Sequence, residues 1–288
     1  MDVLSVIFSQ LLIGLYRGSI YWLIAAGLTL IFGVLRVVNF AQATLLVLGG
    51  YTAYAIYQAT SNWVLALVMT PLLVGAIGLA IEVTLLKPIY KIDNTYQLLM
   101  TFAVVLILND VTKVIWGKAP VSIPLPDMLK GSVKLSGFNI SLYILIVILI
   151  GLLIFISVIY IINRTMWGLK VRAIWRKREI AEALGIKTTT LYSAVFFLGS
   201  LFSGLGGALM AMFSPMVPGL GDYLIVYAFI VTVIAGLGNL LGAYISSIII
   251  GVLESVFTYY LPEIDLLLIY LIMAVVLLIK PQGIFGER

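Results

Sequence analysis

Few residues of this chain could do chemistry. Histidine and cysteine are both absent from its 288 residues. The usual general base near neutral pH and the commonest metal ligand are therefore missing, as are thiolate nucleophiles and disulfides. Twelve carboxylates remain. Three of them, Glu82, Asp110 and Glu254, fall inside apolar stretches. A carboxylate at membrane depth is costly and by default marks a functional site. Glu82 lies five residues before Lys87, and Asp110 three before Lys113, so both read as ion-paired near span ends. Glu254 has no such neighbour. There is neither the carboxylate series of a proton relay nor the arginine ladder of a voltage sensor. No catalytic residue and no metal site is predicted.

Nucleotide chemistry has no motif either. The chain lacks G-x-x-x-x-G-K-[ST], so it carries no phosphate cradle of that type. Gly204, Gly206 and Gly207, and Gly236, Gly238 and Gly242, miss the G-x-G-x-x-G spacing. Set in apolar surroundings, they read as close-packing positions between helices. The four-residue spacings Gly14–Gly18 and Gly238–Gly242 read the same way.

The sharpest feature is the basic loop 163–187. It holds Arg164, Lys170, Arg172, Arg176, Lys177, Arg178 and Lys187 against Glu179 and Glu182. Its surplus of five equals the whole net charge of +5. At its centre, Arg176–Leu184 predicts a short helix with Ile180 and Leu184 one turn apart. Gly185 stands where helices commonly end in the left-handed conformation. Ala181 and Ala183 keep one face thin enough for another protein to approach. A plain topological anchor would explain the charge, but not the compact Glu-x-x-Glu-Ala-Leu-Gly run.

The elements that must position these residues are set by composition. Hydrophobic residues make up 63% of the chain and charged residues 10%, with mean hydropathy +1.19. Soluble domains are about 45–50% apolar and about 25% charged. This excludes an ordinary soluble enzyme, a disordered chain and a nucleic-acid-binding module. Apolar runs lie near 5–35, 43–60, 63–86, 97–116, 140–162, 189–213, 223–236, 240–260 and 265–280. They lack the alternation of barrel strands, and lipid demands internal backbone pairing, so they predict helices. The first lacks a basic leader and a small-x-small cleavage site, and reads as an uncleaved span.

The expected fold is thus an all-α membrane bundle of about eight or nine spans, some broken, in a single domain over 1–288. Loop 117–138, with Pro120, Pro124, Pro126 and Gly131, reads as irregular and external. Positive residues mark the cytoplasmic side. With 163–187 inside, Arg36, Lys87, Lys91, Lys280 and Arg288 also fall inside, which makes 12 of the 17 basic residues. The N-terminus is then outside and the C-terminus inside. Segment 223–236 is short, and as a half-helix that enters and returns it would change the parity after it.

Residues 27–50 and 227–251 echo one another. Each has an apolar run, a glycine, then Asn39 or Asn239, small residues and another run. Glycine-interrupted segments in corresponding halves point to broken helices around a transport path; polar turns between spans are the alternative. Asn39, Gln42, Thr44 and Asn239 are the candidate path residues. They offer hydrogen bonds without fixed charge, which suits a small neutral or zwitterionic solute.

Five ordered pieces carry a resemblance: GLTLIFGVLRVVNFAQATLLVLGGY (27–51), the basic loop with EALGI (182–186), GLGGALM (204–210), VIAGLGNLLGA (233–243) and KPQGIFG (280–286). Together they resemble the permease subunits of branched-chain amino acid importers of the ATP-binding cassette superfamily, specifically the shorter of the two paired permeases. The general Glu-Ala-Ala…Gly motif of such permeases is present only in shortened form, as Glu182, Ala183, Leu184 and Gly185. The resemblance implies His in many relatives at position 42, where this chain has Gln. It implies a coupling helix bearing Arg176, Arg178, Glu179, Ile180, Glu182, Ala183, Leu184 and Gly185. It implies a second homologous permease, two cytoplasmic ATPase subunits and an external substrate-binding protein as partners, in the inner membrane of a prokaryote. ATP would be used by the partners, with no cofactor bound here. The alternatives are a related importer of urea, short amides or a simple sugar, an integral-membrane enzyme, and an ion channel.

Overall fold

The computed structural model describes residues 3–90, 92–135 and 138–286. Each of the nine apolar runs forms a helix: α1 (Val3–Leu35), α2 (Ala41–Thr60), α3 (Trp63–Ile81), α4 (Asn94–Trp116), α5 (Leu142–Arg164), α8 (Thr188–Ala211), α9 (Leu220–Ala235), α10 (Leu240–Tyr260) and α11 (Asp265–Ile279). The basic loop supplies two more, α6 (Met166–Arg176) and α7 (Arg178–Ala183). Among the described residues, six helices are long and apolar enough to cross a membrane unaided. The chain is an all-α, multi-pass membrane protein. The long loop carries a hairpin, β1 (Ser132–Leu135) paired antiparallel with β2 (Phe138–Ser141). The prolines that made the loop read as irregular all precede it.

Local chemistry starts and stops the helices. Asn62 caps α3 by accepting from the amides of Val64 and Leu65 at 3.0 and 3.1 Å. Asp93 caps α4 through the Thr95 amide at 2.8 Å. Such caps satisfy donors that a helix start leaves unpaired. The far end of α3 is irregular: it widens into a π turn over Glu82–Leu86 and tightens into a 3₁₀ turn over Lys87–Ile89.

Helix α1 runs through the centre of the bundle. It packs along α10 at a seam of glycines, with Gly14 and Gly18 against Val252 and Ile248, and Gly251 against the backbone of Gly14 and Gly18. Helix α8 meets α2 at a second seam, where Gly207 lies on the Leu46 carbonyl and Gly49 on Gly204. Close backbone approach through small residues is a common basis of helix association in lipid. The expected Gly238–Gly242 pair works differently. Gly238 lies in a turn at φ +94°, and only Gly242 is in a helix.

The bundle has two distinct ends. At one, Gly33 lies against the Trp175 indole of α6, and the Ile284 amide bonds the Ile234 carbonyl at 2.7 Å. At the other, Val121 and Met216 exchange backbone bonds and the Ile123 amide reaches the Ala211 carbonyl at 2.9 Å. From Met216 at one end the chain dips to the first turn of α9, beside Thr44, and the last turn of α9 lies against the C-terminal segment at the other end. The segment from Met216 to Ile234, of which α9 is the helical part, therefore crosses rather than turns back. At about 1.5 Å per residue α9 is shorter than the hydrocarbon layer, and the segment before it must dip inward to bring Gly221 to Thr44. Lys91 and Arg288, expected at the α7 end, lie outside the described residues.

The seams make a prediction. A side chain at Gly251 would collide with the α1 backbone, whereas one at Gly131 would meet only a Leu142 methyl at 3.9 Å. Gly251→Val should cost about 1–3 kcal/mol, the usual scale of overpacking. In detergent it should lower the melting temperature by several degrees. Gly131→Ala should leave it unchanged, and equal behaviour of the two would refute the seam.

Candidate functional site

The link between α1 and α2 is a helix break buried inside the bundle. Asn39, in the link, is buried, and its Oδ1 accepts from the Ala41 amide at 3.1 Å, which starts α2. Its Nδ2 donates to Gln42 Oε1 at 3.1 Å. The Gln42 amide nitrogen donates to the Gly199 carbonyl at 2.6 Å and to Ser203 Oγ at 2.8 Å. Gly199 is half-way along α8, so the break sits deep between the two ends. Gly27 on α1 leaves the space that the Gln42 side chain fills. Thr44, two residues on and on another face of α2, lies against Gly221 of α9. Three of the four path candidates thus lie at the break: Asn39 holds Gln42, Gln42 bonds α2 to α8, and Thr44 lies against α9.

Asn239 stands apart. It caps α10 by accepting from the Gly242 amide at 2.9 Å, and its Nδ2 holds the Phe285 carbonyl at 2.7 Å. It fixes the C-terminal segment to the α9–α10 corner. Gly236 permits this at φ +88°, where a side chain would run into Gly286 and Gln282. The echo between the halves is therefore one of local form, an asparagine closing a break and starting the next helix, at different depths.

A small cavity lies beside the α1–α2 break, lined by Asn39, Gln97, Thr101, Leu86, Tyr90, Phe196 and residues of α1. Thr101 Oγ1 also receives the Phe40 amide at 3.4 Å. Gln97, Thr101 and Tyr90 escaped the sequence reading, because nothing local links α4 or the end of α3 to residue 39.

At the α7 end the expected helix is divided. Lys177 adopts an extended conformation, so Arg176 closes α6 and α7 starts at Arg178. Gly185 follows at φ +80°. Ile180 and Leu184 are 53% and 76% exposed, and Glu179, Glu182 and Ala183 are exposed around them. Ala181 points the other way and is 1% exposed. Arg178 pairs with Glu182 at 2.8 Å, and Thr188 at the start of α8 donates to the same carboxylate at 2.9 Å. The Arg178 and Thr188 hydrogen bonds hold the Glu182 carboxyl below its usual range.

The two buried acids, Glu82 and Glu254, find partners that spacing did not show. Glu82 accepts from the Tyr90 hydroxyl at 2.5 Å and the Ser193 hydroxyl at 2.7 Å, not from Lys87. A regular α-helix would place Lys87 on another face, and although the π turn bonds the Lys87 amide to the Glu82 carbonyl, the Glu82 carboxylate turns to Tyr90 and Ser193. Asp110 pairs with Lys113 at 2.9 Å, as the spacing indicated. Glu254 pairs with Arg17 at 3.0 Å and accepts from Tyr21 at 2.5 Å and Tyr223 at 3.3 Å. A lone arginine within the first apolar run was the available signal for that pair. Among the described residues, no group of acids could hold a metal ion.

A bundle of apolar helices around a buried, uncharged helix break is a multi-pass membrane protein built for transport. The chain belongs to the family of permease components of branched-chain amino acid transport systems, whose model matches residues 10–277. It is 30% identical to the probable branched-chain amino acid transport permease protein LivH of Methanocaldococcus jannaschii, over 98% of this chain and 90% of that one. It is 25% identical to the high-affinity branched-chain amino acid transport system permease proteins LivH of Salmonella typhimurium and BraD of Pseudomonas aeruginosa. Each match covers 96% of this chain and 95% of the relative. No solved structure matches.

The lowered Glu182 carboxyl gives a pH dependence. Such a group contributes stability above its unfolded value, about pH 4.3, and loses it as pH falls through the lower folded value. Amide exchange at Leu184 and Gly185 should be equally slow from pH 7 to about pH 5, after correction for intrinsic rates, and quicken at lower pH. Glu182→Gln should remove that pH dependence; a dependence that survives it would assign the effect elsewhere.

Proposed function

We propose that this chain is the permease subunit of an ATP-driven importer of branched-chain amino acids, with no enzymatic activity of its own. The observation that carries the reading is likeness along almost the whole chain to permeases of that description. The break at Asn39, Gln42 and Thr44 supports it chemically. An aliphatic amino acid is a zwitterion with an apolar tail, and neutral amides and hydroxyls can pass it on without trapping it as a counter-charge would.

ATP is used by two separate cytoplasmic ATPase subunits, and this chain binds no cofactor. A second homologous permease completes the route through the lipid, and an external substrate-binding protein delivers the solute. Nucleic acid has no part. Residues 1–288 act as one permease domain in the cytoplasmic membrane of a prokaryote. The α7 end, which carries most of the basic residues, faces the cytoplasm, with the N-terminus outside and the C-terminus inside.

Helix α7 with Gly185 is the contact with the ATPase. Ile180 and Leu184 are apolar, exposed and one turn apart, which suits insertion into an apolar groove. Arg176, Arg178, Glu179 and Glu182 form the polar rim, and exposed Ala183 permits close approach. Rim charges contribute little singly, whereas a buried apolar anchor can dominate.

Two experiments test these readings. Vesicles holding the assembled transporter should take up labelled leucine, isoleucine and valine when ATP is supplied. Unlabelled branched-chain amino acids should compete, while urea and sugars should not; competition by urea or a sugar instead would move the substrate. Separately, Leu184→Asp should weaken co-purification of the ATPase by about thirtyfold or more, the scale of an interface anchor, at unchanged permease level. Full retention of the ATPase and of uptake would exclude α7 as the contact.

A further inference from the structure

Between α7 and the buried break lies a chain of aromatic contacts that the family relationship does not explain. The Arg178 guanidinium sits 5.4 Å from the centre of the Tyr192 ring. The Tyr192 ring, buried on the second turn of α8, meets the Tyr90 ring edge to face at 5.3 Å. Tyr90 in turn lines the cavity with Asn39, Gln97 and Thr101. Its hydroxyl is held by Glu82, which Ser193 also holds from α8. One tyrosine thus lines the cavity, meets the α8 aromatic edge to face and reaches a buried acid by its hydroxyl.

The backbone that carries Tyr90 has two arrangements within reach. The π turn over Glu82–Leu86 has the Lys87 amide bonded to the Glu82 carbonyl, five residues back. Such turns are rare, are inserted singly into α-helices and are frequent at functional sites. Closing the turn into regular α-helix would rotate everything after it by one residue, about 100° around the axis. Tyr90 would then leave Glu82, Tyr192 and the cavity together. Glu82 stands at the start of the turn and grips Tyr90 just beyond it, so the carboxylate clamps the π form.

We propose that Tyr90 seals the α7-end half of the solute route and that α7 moves it through Tyr192, with the π turn as the joint. The inference rests on the coupling role given to α7 above. A shift of α7 carries Arg178, the cation–π contact passes it to Tyr192, and Tyr192 no longer supports the closed position of Tyr90. Tyr90 and Tyr192 are positioning residues, and the solute-facing groups remain Asn39, Gln97 and Thr101. The route is contiguous and includes a two-arrangement element, which is what physical coupling requires.

The chain has no cysteine, so Thr101→Cys gives it a single thiol inside the cavity. In inside-out vesicles holding the assembled transporter, labelling of that thiol by an impermeant maleimide is compared without nucleotide and during ATP turnover. Turnover should raise the rate about tenfold, a modest two-state population shift. Tyr192→Leu should remove the response while the ATPase still co-purifies. A rate that ignores ATP, or a response that survives Tyr192→Leu, overturns the drive through Tyr192. In the isolated permease, Tyr90→Ala should raise labelling to the turnover level. Tyr90→Phe, which keeps the ring but frees it from Glu82, should raise it less and serves if the alanine variant does not accumulate. No rise with either variant overturns the seal. These rates do not depend on which solute is carried. Failure of leucine uptake with the labelling pattern intact would therefore remove the substrate assignment alone. Failure of the ATPase to bind would remove the coupling role, and the isolated-permease variants would still decide the seal.

Discussion

Contact between helix backbones without intervening side chains is the constraint on which this molecule depends. Lipid tails are as apolar as leucine, so helices in a bilayer gain little by hiding apolar surface from their surroundings. They gain by approaching closely. The Gly14–Gly18–Gly251 seam draws α10 onto α1, and the Gly204–Gly207 stretch draws α8 onto α2. The resulting proximity brings the Gln42 side chain into reach of the Gly199 carbonyl and lets Thr44 touch α9. Without the seams, the polar groups of the α1–α2 break would face hydrocarbon with bonds unmade, at a cost of several kcal/mol each.

At that break and at the α7 end the chain departs from regular helix packing. At the break, asparagine and glutamine replace the backbone bonds that a continuous helix would have made. At the α7 end, exposed apolar residues stand on a two-turn projection braced by Arg178, Glu182 and Thr188. Between them the end of α3 widens into a π turn and tightens into a 3₁₀ turn, placed where Tyr90 joins the break to α8. A transport cycle needs an external contact, a bistable connection and a polar route. The structure sets the candidates for all three within contact of one another.

Much of the fold was legible from the chain. Nine apolar runs became nine helices, because lipid leaves the backbone no other economical pairing. The left-handed glycine after α7 and the helix breaks at Asn39 and Asn239 were also readable, since turns and breaks are local chemistry. Legibility failed where partners are distant in sequence. Glu82 looked towards Lys87 but is held by Tyr90 and Ser193. Glu254 looked isolated but is paired with Arg17, more than two hundred residues away. Arg176 looked part of the coupling helix, yet the extended conformation of Lys177 places it at the end of α6.

The sequence by itself therefore determined the membrane-spanning character, the order of the nine apolar helices, the basic end and the family. Each of these follows from composition, periodicity or short motifs, which act over a few residues. Tertiary structure alone decided that the segment carrying α9 crosses, that Asn239 anchors the tail while Asn39 and Gln42 lie at the core, and that Tyr90, Gln97 and Thr101 share a cavity with the break. Those outcomes depend on which helix faces meet, and the faces are chosen by seams between segments far apart in the chain, whose pairing no local pattern encodes.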